Sequence, residues 1–229
     1  MSQIHTIARV LNAERLGRCR ALLADAPWGD GRQTAGSQAV EVKNNRQLPE
    51  DHALGASLRA IVLEALSQNA QFFTVALPRR IYPPLFNAYS GAQNSFGDHV
   101  DNAIRTHPLS AQHVRTDLSF TLFLSDPHEY EGGELFIEQG SAGAGIKLAA
   151  GDLILYPSFS LHRVEPVTRG QRLASVSWVE SMVRDAAQRE LLYALDVAIL
   201  KLRDTQGDVG PVIDLTSCYH NLLRMWATV

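Results

Sequence analysis

Between about Pro78 and Glu180 the chain meets a turn residue roughly every ten positions, and that spacing admits only short strands. Leu118, Phe120, Leu122 and Leu124 alternate there with Asp117, Ser119, Thr121 and Phe123. Such a period-two pattern gives a strand with two unlike faces. Gly132 and Gly133 break the chain before a short strand at Glu134–Glu138. Gly151 and Asp152 turn into Leu153–Tyr156, which Pro157 ends, and Gly170 precedes a strand at Gln171–Val179. Many short strands with regular turns predict an all-β sandwich or barrel.

The flanks change period. Up to Leu77 the chain reads helical. Asn12 caps one helix with Leu16, Cys19, Leu22 and Leu23 on its apolar side. Pro49, Glu50 and Asp51 open another, with Leu54, Leu58, Ile61, Val62 and Ala65 at helical spacing. From Ser181 helix returns: Val183, Ala187, Leu191, Ala194, Ala198 and Leu202 form one stripe, widened by Leu192, Leu195 and Ile199. After a loop at Thr205–Pro211, Leu215, Tyr219, Leu222 and Trp226 mark a last helix. The expected organisation is an N-terminal helical support over residues 1–77, a β domain over 78–180 and a helical extension over 181–229. The wide apolar stripes need a cover, either the β core or a second copy in a homodimer.

Composition narrows the partners. Lys and Arg total 21 against 24 Asp and Glu, a formal charge of −3, so nothing in the balance attracts nucleic acid. No stretch approaches eighteen consecutive apolar residues, and the first residues resemble no signal peptide, so no membrane partner is expected. Two cysteines, Cys19 and Cys218, make a poor disulfide framework, and a reducing cytoplasm is the simpler expectation.

The chemistry concentrates in four residues. In an extended strand, His99 and Asp101 point to the same side with Cα atoms about 6–7 Å apart, close enough to converge on one ion. A third ligand is needed, and His162, 61 residues after Asp101, is the candidate. Two His and one carboxylate occupy one face of an octahedron and leave three positions open, the usual site of non-haem Fe(II) oxygenases. A zinc hydrolase could use the same ligands. Arg172, ten positions after His162, separates the two. Facing inward, its guanidinium fork suits a dicarboxylate co-substrate whose other end chelates the metal. The plainer role for Arg172 is an ion pair with Asp117 or Glu134. Trp178 shares its strand parity and either lines the same interior or packs as a plain core residue, whereas Arg79 and Arg80 read as a solvated strand edge rather than a substrate clamp.

The pattern H-x-D…H…R resembles the Fe(II)/2-oxoglutarate dioxygenases. It is set within Leu85-Phe86-Asn87-Ala88-Tyr89-Ser90-Gly91 and Gly151-Asp152-Leu153-Ile154-Leu155-Tyr156-Pro157-Ser158. Within that group it is similar to the bacterial PKHD-type hydroxylases, relatives of the prolyl 4-hydroxylases. Arg115–Ser119, Tyr130–Leu135 and Ser181–Asp185 add to the likeness, which runs from about Pro83 to Arg189. The resemblance implies a double-stranded β-helix, or jelly roll. It implies Fe(II) held by His99, Asp101 and His162, with the distal carboxylate of 2-oxoglutarate on Arg172. Tyr89 matches a tyrosine that contacts the co-substrate. It further implies ascorbate as an auxiliary reductant and hydroxylation of a C–H bond with release of succinate and CO₂. The alternative of another class is a non-catalytic iron sensor or iron-uptake accessory. The substrate, small molecule or peptide, is not written in any motif. The expected substrate loops are Pro78–Tyr82, Asn102–Val114 and Ser125–Tyr130.

Overall fold

The computed structural model describes residues 4–34, 36–107, 111–138 and 145–229. Eight short antiparallel strands form a major sheet, in the order His5–Ile7, Leu153–Pro157, Leu118–Phe123, Arg172–Ser181, Leu85–Tyr89, Arg46–Gln47 and Gly29–Asp30. The eighth, Pro78–Ile81, pairs with the far end of Arg172–Ser181. A minor sheet runs Leu135–Ile137, His162–Val164, Ser95–His99 and Lys43–Asn44. This is the jelly-roll arrangement, mainly β with helices at its flanks.

Alternation within the major sheet decides what each face does. Leu118, Phe120, Leu122, Leu153, Leu155 and Val179 point outward and share one core with the helices α1 (Ala13–Ala24), α2 (Ala53–Ser67) and α3 (Ala70–Ala76). Phe123, Ile154, Tyr156 and Tyr89 point inward and meet Leu135, Ile137 and Val164 of the minor sheet. The polar partners of the alternation, Ser119 and Thr121, are therefore not solvated; they are buried between the sheets. Asn12 caps α1 by accepting from the Arg15 amide, as its sequence position predicts. The cap of α2 is His52, one residue beyond the predicted opening, and it accepts from the Leu54 amide.

The stretch 1–77 is more than helical support. Four short strands between and before its helices join both sheets, and Lys43–Asn44 pairs directly with the strand carrying His99. No apolar periodicity could show two-residue strands, which fall below the length of any repeat.

Helix α4 (Ala186–Gln206) folds back on α5 (Gly210–Trp226), and their contact defines the buried stripe. Leu192 and Ile199 are buried there with Val212 and Tyr219, flanked by Leu195, Leu202 and Leu222. The predicted stripe is thus rotated by one position: Ala187, Leu191, Ala194 and Ala198 are exposed. The second helix of the hairpin covers Leu192 and Ile199. Among the described residues no helix is long and apolar enough to cross a membrane.

The rotation has a measurable consequence. Leu192→Ala should destabilise the protein by about 2–5 kcal/mol, as expected for an emptied core site. Leu191→Ala should stay within about 0.5 kcal/mol. Urea unfolding of both variants checks this, and equal losses would return the buried stripe to Leu191.

Candidate metal centre and its cavity

The minor sheet builds the centre through its register. His99 and His162 stand directly opposite each other on antiparallel neighbours, with ring centroids 4.1 Å apart. Asp101 lies just past the strand end, and its Oδ2 is 3.7 Å from His162 Nε2. The ligand atoms of His99, Asp101 and His162 all lie within 4.8 Å of one another, so one ion can reach all three. They form the group of this kind found among the described residues.

Surrounding contacts fix each ligand. His99 Nδ1 lies 2.8 Å from the Gly97 carbonyl and His162 Nδ1 2.9 Å from the Ser160 carbonyl. A carbonyl only accepts, so each Nδ1 carries the proton and each Nε2 keeps its lone pair for a metal. Burial and the neighbouring His162 pull the His99 pKa down to about 4, which keeps the ring neutral. Phe96 stacks on His99 at 3.6 Å and 11°, and Tyr156 meets His162 edge-on at 5.1 Å. The Ser119 hydroxyl donates to Asp101 Oδ2 at 2.6 Å. Sequence reading passed over Ser119, yet it sits on the polar face of the clearest alternation in the chain.

Arg172 begins its strand opposite Tyr89 and is 1 % exposed. Its guanidinium carbon sits 5.1 Å from the Tyr89 ring centre and 5.2 Å from that of Phe123. Nε and Nη2 have no hydrogen-bond partner among the described residues. Neither expected counter-ion is there: Asp117 takes Arg115 in a two-pronged pair at 2.8 Å, and Glu134 makes no ion pair among the described residues. A buried, unpaired guanidinium is costly, so an arginine held this way demands an anion from outside the chain. Gly133 makes room for it. The residue has φ +70°, and a Cβ there would come within 3.1 Å of the Arg172 stem. Burial raises the Tyr89 and Tyr130 hydroxyl pKa values, so both remain neutral beside the guanidinium.

Other expectations shift. Arg79 and Arg80 lie on an edge strand and stay partly solvated, as expected, but their charged ends join Arg115 around the buried carboxylate of Glu180, at 3.3, 3.5 and 3.7 Å. Pro78–Ile81 is a strand rather than a loop, though the buried Tyr82 beyond it packs against Trp178. The Asn102–Val114 segment folds into a ribbon of Ile104–Thr106 against His113–Arg115, while residues 108–110 lie outside the described residues. Ser125–Tyr130 is a structural turn, closed by a capping box at Asp126 and Glu129 and bound by Arg20. Trp178 does line the interior. The cavity over the triad spans about 700 Å³, counting its open side, and its walls include Lys43, Asn87, Tyr89, Arg105, Ser119 and Trp178.

Residues 84–180 match the 2OG-Fe(II) oxygenase superfamily, and residues 186–228 match the PKHD-type hydroxylase C-terminal domain. The chain is 56% identical over 226 residues to a PKHD-type hydroxylase of Xanthomonas axonopodis pv. citri, covering 97% of this chain and 98% of that one. It is 52% identical over 222 residues to a PKHD-type hydroxylase of Nitrosomonas eutropha, with the same coverage. This chain belongs to the PKHD-type hydroxylases. As a member of that family it is an enzyme, a dioxygenase of the 2OG-Fe(II) class. Solved structures share its fold at low identity. A prolyl hydroxylase from Trichoplax adhaerens superposes with TM-score 0.56 at 15% identity, covering 83% of this chain and 87% of that one. A Pseudomonas putida prolyl-4-hydroxylase superposes with TM-score 0.52 at 20% identity, covering 79% and 94%.

In this hydroxylase Ser119 should tune the metal through Asp101. Ser119→Ala is expected to weaken Fe(II) or Mn(II) retention about 10–100-fold, the usual cost of losing a hydrogen bond to a ligand. Chelator competition measures it. Unchanged retention would make the serine a packing residue.

Proposed function

We propose that His99, Asp101 and His162 hold Fe(II), and that Arg172 receives the distal carboxylate of 2-oxoglutarate. The enzyme then hydroxylates a C–H bond of a substrate, with 2-oxoglutarate and O₂ going to succinate and CO₂. The observation that carries this reading is the buried Arg172 guanidinium with two unpartnered nitrogens, in the same barrel as the triad. A zinc hydrolase has no use for such a group.

When bound, the iron supplies the redox chemistry that divides O₂ between co-substrate and substrate. The chain supplies the rest. Gly97 and Ser160 hold both imidazoles in the ligating tautomer. Ser119 orients the Asp101 carboxylate. Tyr89, which lines the cavity and lies over Arg172, forms a wall against which the co-substrate rests. Phe96, Tyr156 and Leu135 keep bulk water from the triad. Ascorbate serves as auxiliary reductant and the cytoplasm as the compartment, a setting that suits the free thiols Cys19 and Cys218.

Anaerobic titration of Fe(II) and then 2-oxoglutarate tests the assignment. Wild type should develop the weak visible absorption of the chelate, and His99→Ala or Asp101→Ala should lose it while staying folded. Arg172→Ala should weaken 2-oxoglutarate by about thirty-fold to several-thousand-fold, the 2–5 kcal/mol cost of truncating a desolvated charge pair. Arg172→Lys should recover only part, because an ammonium lacks the planar fork. Iron affinity should hold in both Arg172 variants. Equal 2-oxoglutarate binding in all of them would make Arg172 structural and remove the main support of this reading.

A further inference from the structure

Arg172 is not the only cation in the barrel without a counter-ion among the described residues. Lys43 projects into the cavity from the minor-sheet strand next to Ser95–His99 and is 8 % exposed. Its ammonium donates only to neutral oxygens, Thr34 Oγ1 at 3.0 Å and Gln47 Oε1 at 3.1 Å. It lies 5.4 Å over the Phe96 ring, on which His99 also stacks. Arg105 reaches the same cavity from the 104–106 ribbon. Its guanidinium carbon lies 3.9 Å from the Trp178 ring centre and 4.9 Å from that of Tyr82, and its Nη2 donates to the Thr34 carbonyl at 3.4 Å. The buried Nε of Arg105 and the indole Nε1 of Trp178 both lack a hydrogen-bond partner among the described residues.

Among the described residues no carboxylate comes within ion-pair distance of either cation. Asp30 is taken by Arg32 and Glu50 accepts from Tyr82, while Asp101, whose charge favours the Lys43 ammonium from beyond ion-pair distance, accepts from Ser119 and stands in the triad. The two cations instead repel each other: burial and Arg105 pull Lys43 down to about pKa 8, still protonated at neutral pH. Burying like charges together, against desolvation, stabilises nothing in the fold. The arrangement makes sense only if an anion completes it.

That anion is not the co-substrate at Arg172, whose rings are Tyr89 and Phe123. Lys43 and Arg105 are walled by a different set, Phe96, Trp178 and Tyr82. We infer that Lys43, Arg105 and the Trp178 indole N–H form a second oxyanion subsite, which selects a substrate bearing a carboxylate or phosphate on an apolar body. The apolar part is called for by Leu85, Val176 and Trp178, which line the cavity beside the cations. This rests on the oxygenase reading and names the substrate class for it.

The test uses full-length protein loaded anaerobically with Fe(II) and 2-oxoglutarate, and three probes: N-acetyl-L-leucine, its neutral analogue N-acetyl-L-leucinamide, and phenyl phosphate. Binding is followed by calorimetry and by saturation-transfer NMR of the probe. The acid or the phosphate should bind about ten-fold or more tightly than the amide, the scale of one charge-assisted contact. Whichever of the two is preferred identifies the oxyanion. Arg105→Gln and Lys43→Met should each erase the preference, and Lys43→Arg should keep most of it. Arg105 stands on a half-buried ribbon, so its variant remains informative if Lys43→Met fails to fold. Equal binding of acid, phosphate and amide, no binding of either anion, or a preference that survives Arg105→Gln in the folded protein would overturn the inference. If 2-oxoglutarate itself fails to load wild type, the oxygenase reading is what has failed.

Discussion

The register between His162–Val164 and Ser95–His99 is the constraint on which the rest depends. Side chains alternate with period two along a strand, so a slip of one residue would turn His99 or His162 out of the barrel. The register holds because both strands sit inside the minor sheet, flanked by Leu135–Ile137 and Lys43–Asn44. Each neighbour contributes buried side chains: Leu135 and Ile137 on one side, Lys43 on the other. The metal geometry is therefore a property of the sheet, and the hydrogen bonds from each Nδ1 only finish what pairing begins.

Burial on both faces of the major sheet follows from the same demand. The outer face is greasy and covered by α1 to α3. The inner face is split, apolar around Phe123 and Ile154 and polar at Ser119, Thr121 and Asn87. A barrel with a wholly apolar lining would be firmer but could not orient Asp101 or hold charged ligands. Glu180 performs a related service at the far end, where its buried carboxylate gathers Arg79 and Arg80 from one strand and Arg115 from another.

Much of this was legible in the sequence, for identifiable reasons. Leu118 to Leu124 declared a strand by strict alternation, and His99, Asp101, His162 and Arg172 stood at spacings that few other sites use. What escaped depends on contacts distant in sequence. Lys43 lies in a two-residue strand with no periodicity. Arg105 has a basic side chain in a segment that reads as a polar loop, and only its stacking on Trp178 marks it. Ser119 shows a sharper lesson. Its alternation was visible, but a serine facing solvent and a serine facing a metal ligand look alike until the opposing sheet is in place. The rotated stripe of α4 has a similar cause, since Leu191 and Leu192 differ only in which one α5 happens to cover.

The two outermost strands of the major sheet are both brief. One edge ends at His5–Ile7, three residues long, and the other at Gly29–Asp30, two residues long and carrying a charge paired with Arg32. An edge that short exposes few free amides and carbonyls in a row, so a second chain finds little template on which to add a strand. Crowding many copies together should therefore not zip their sheets into fibrils. Along those two edges, copies would have to meet through side chains rather than through backbone.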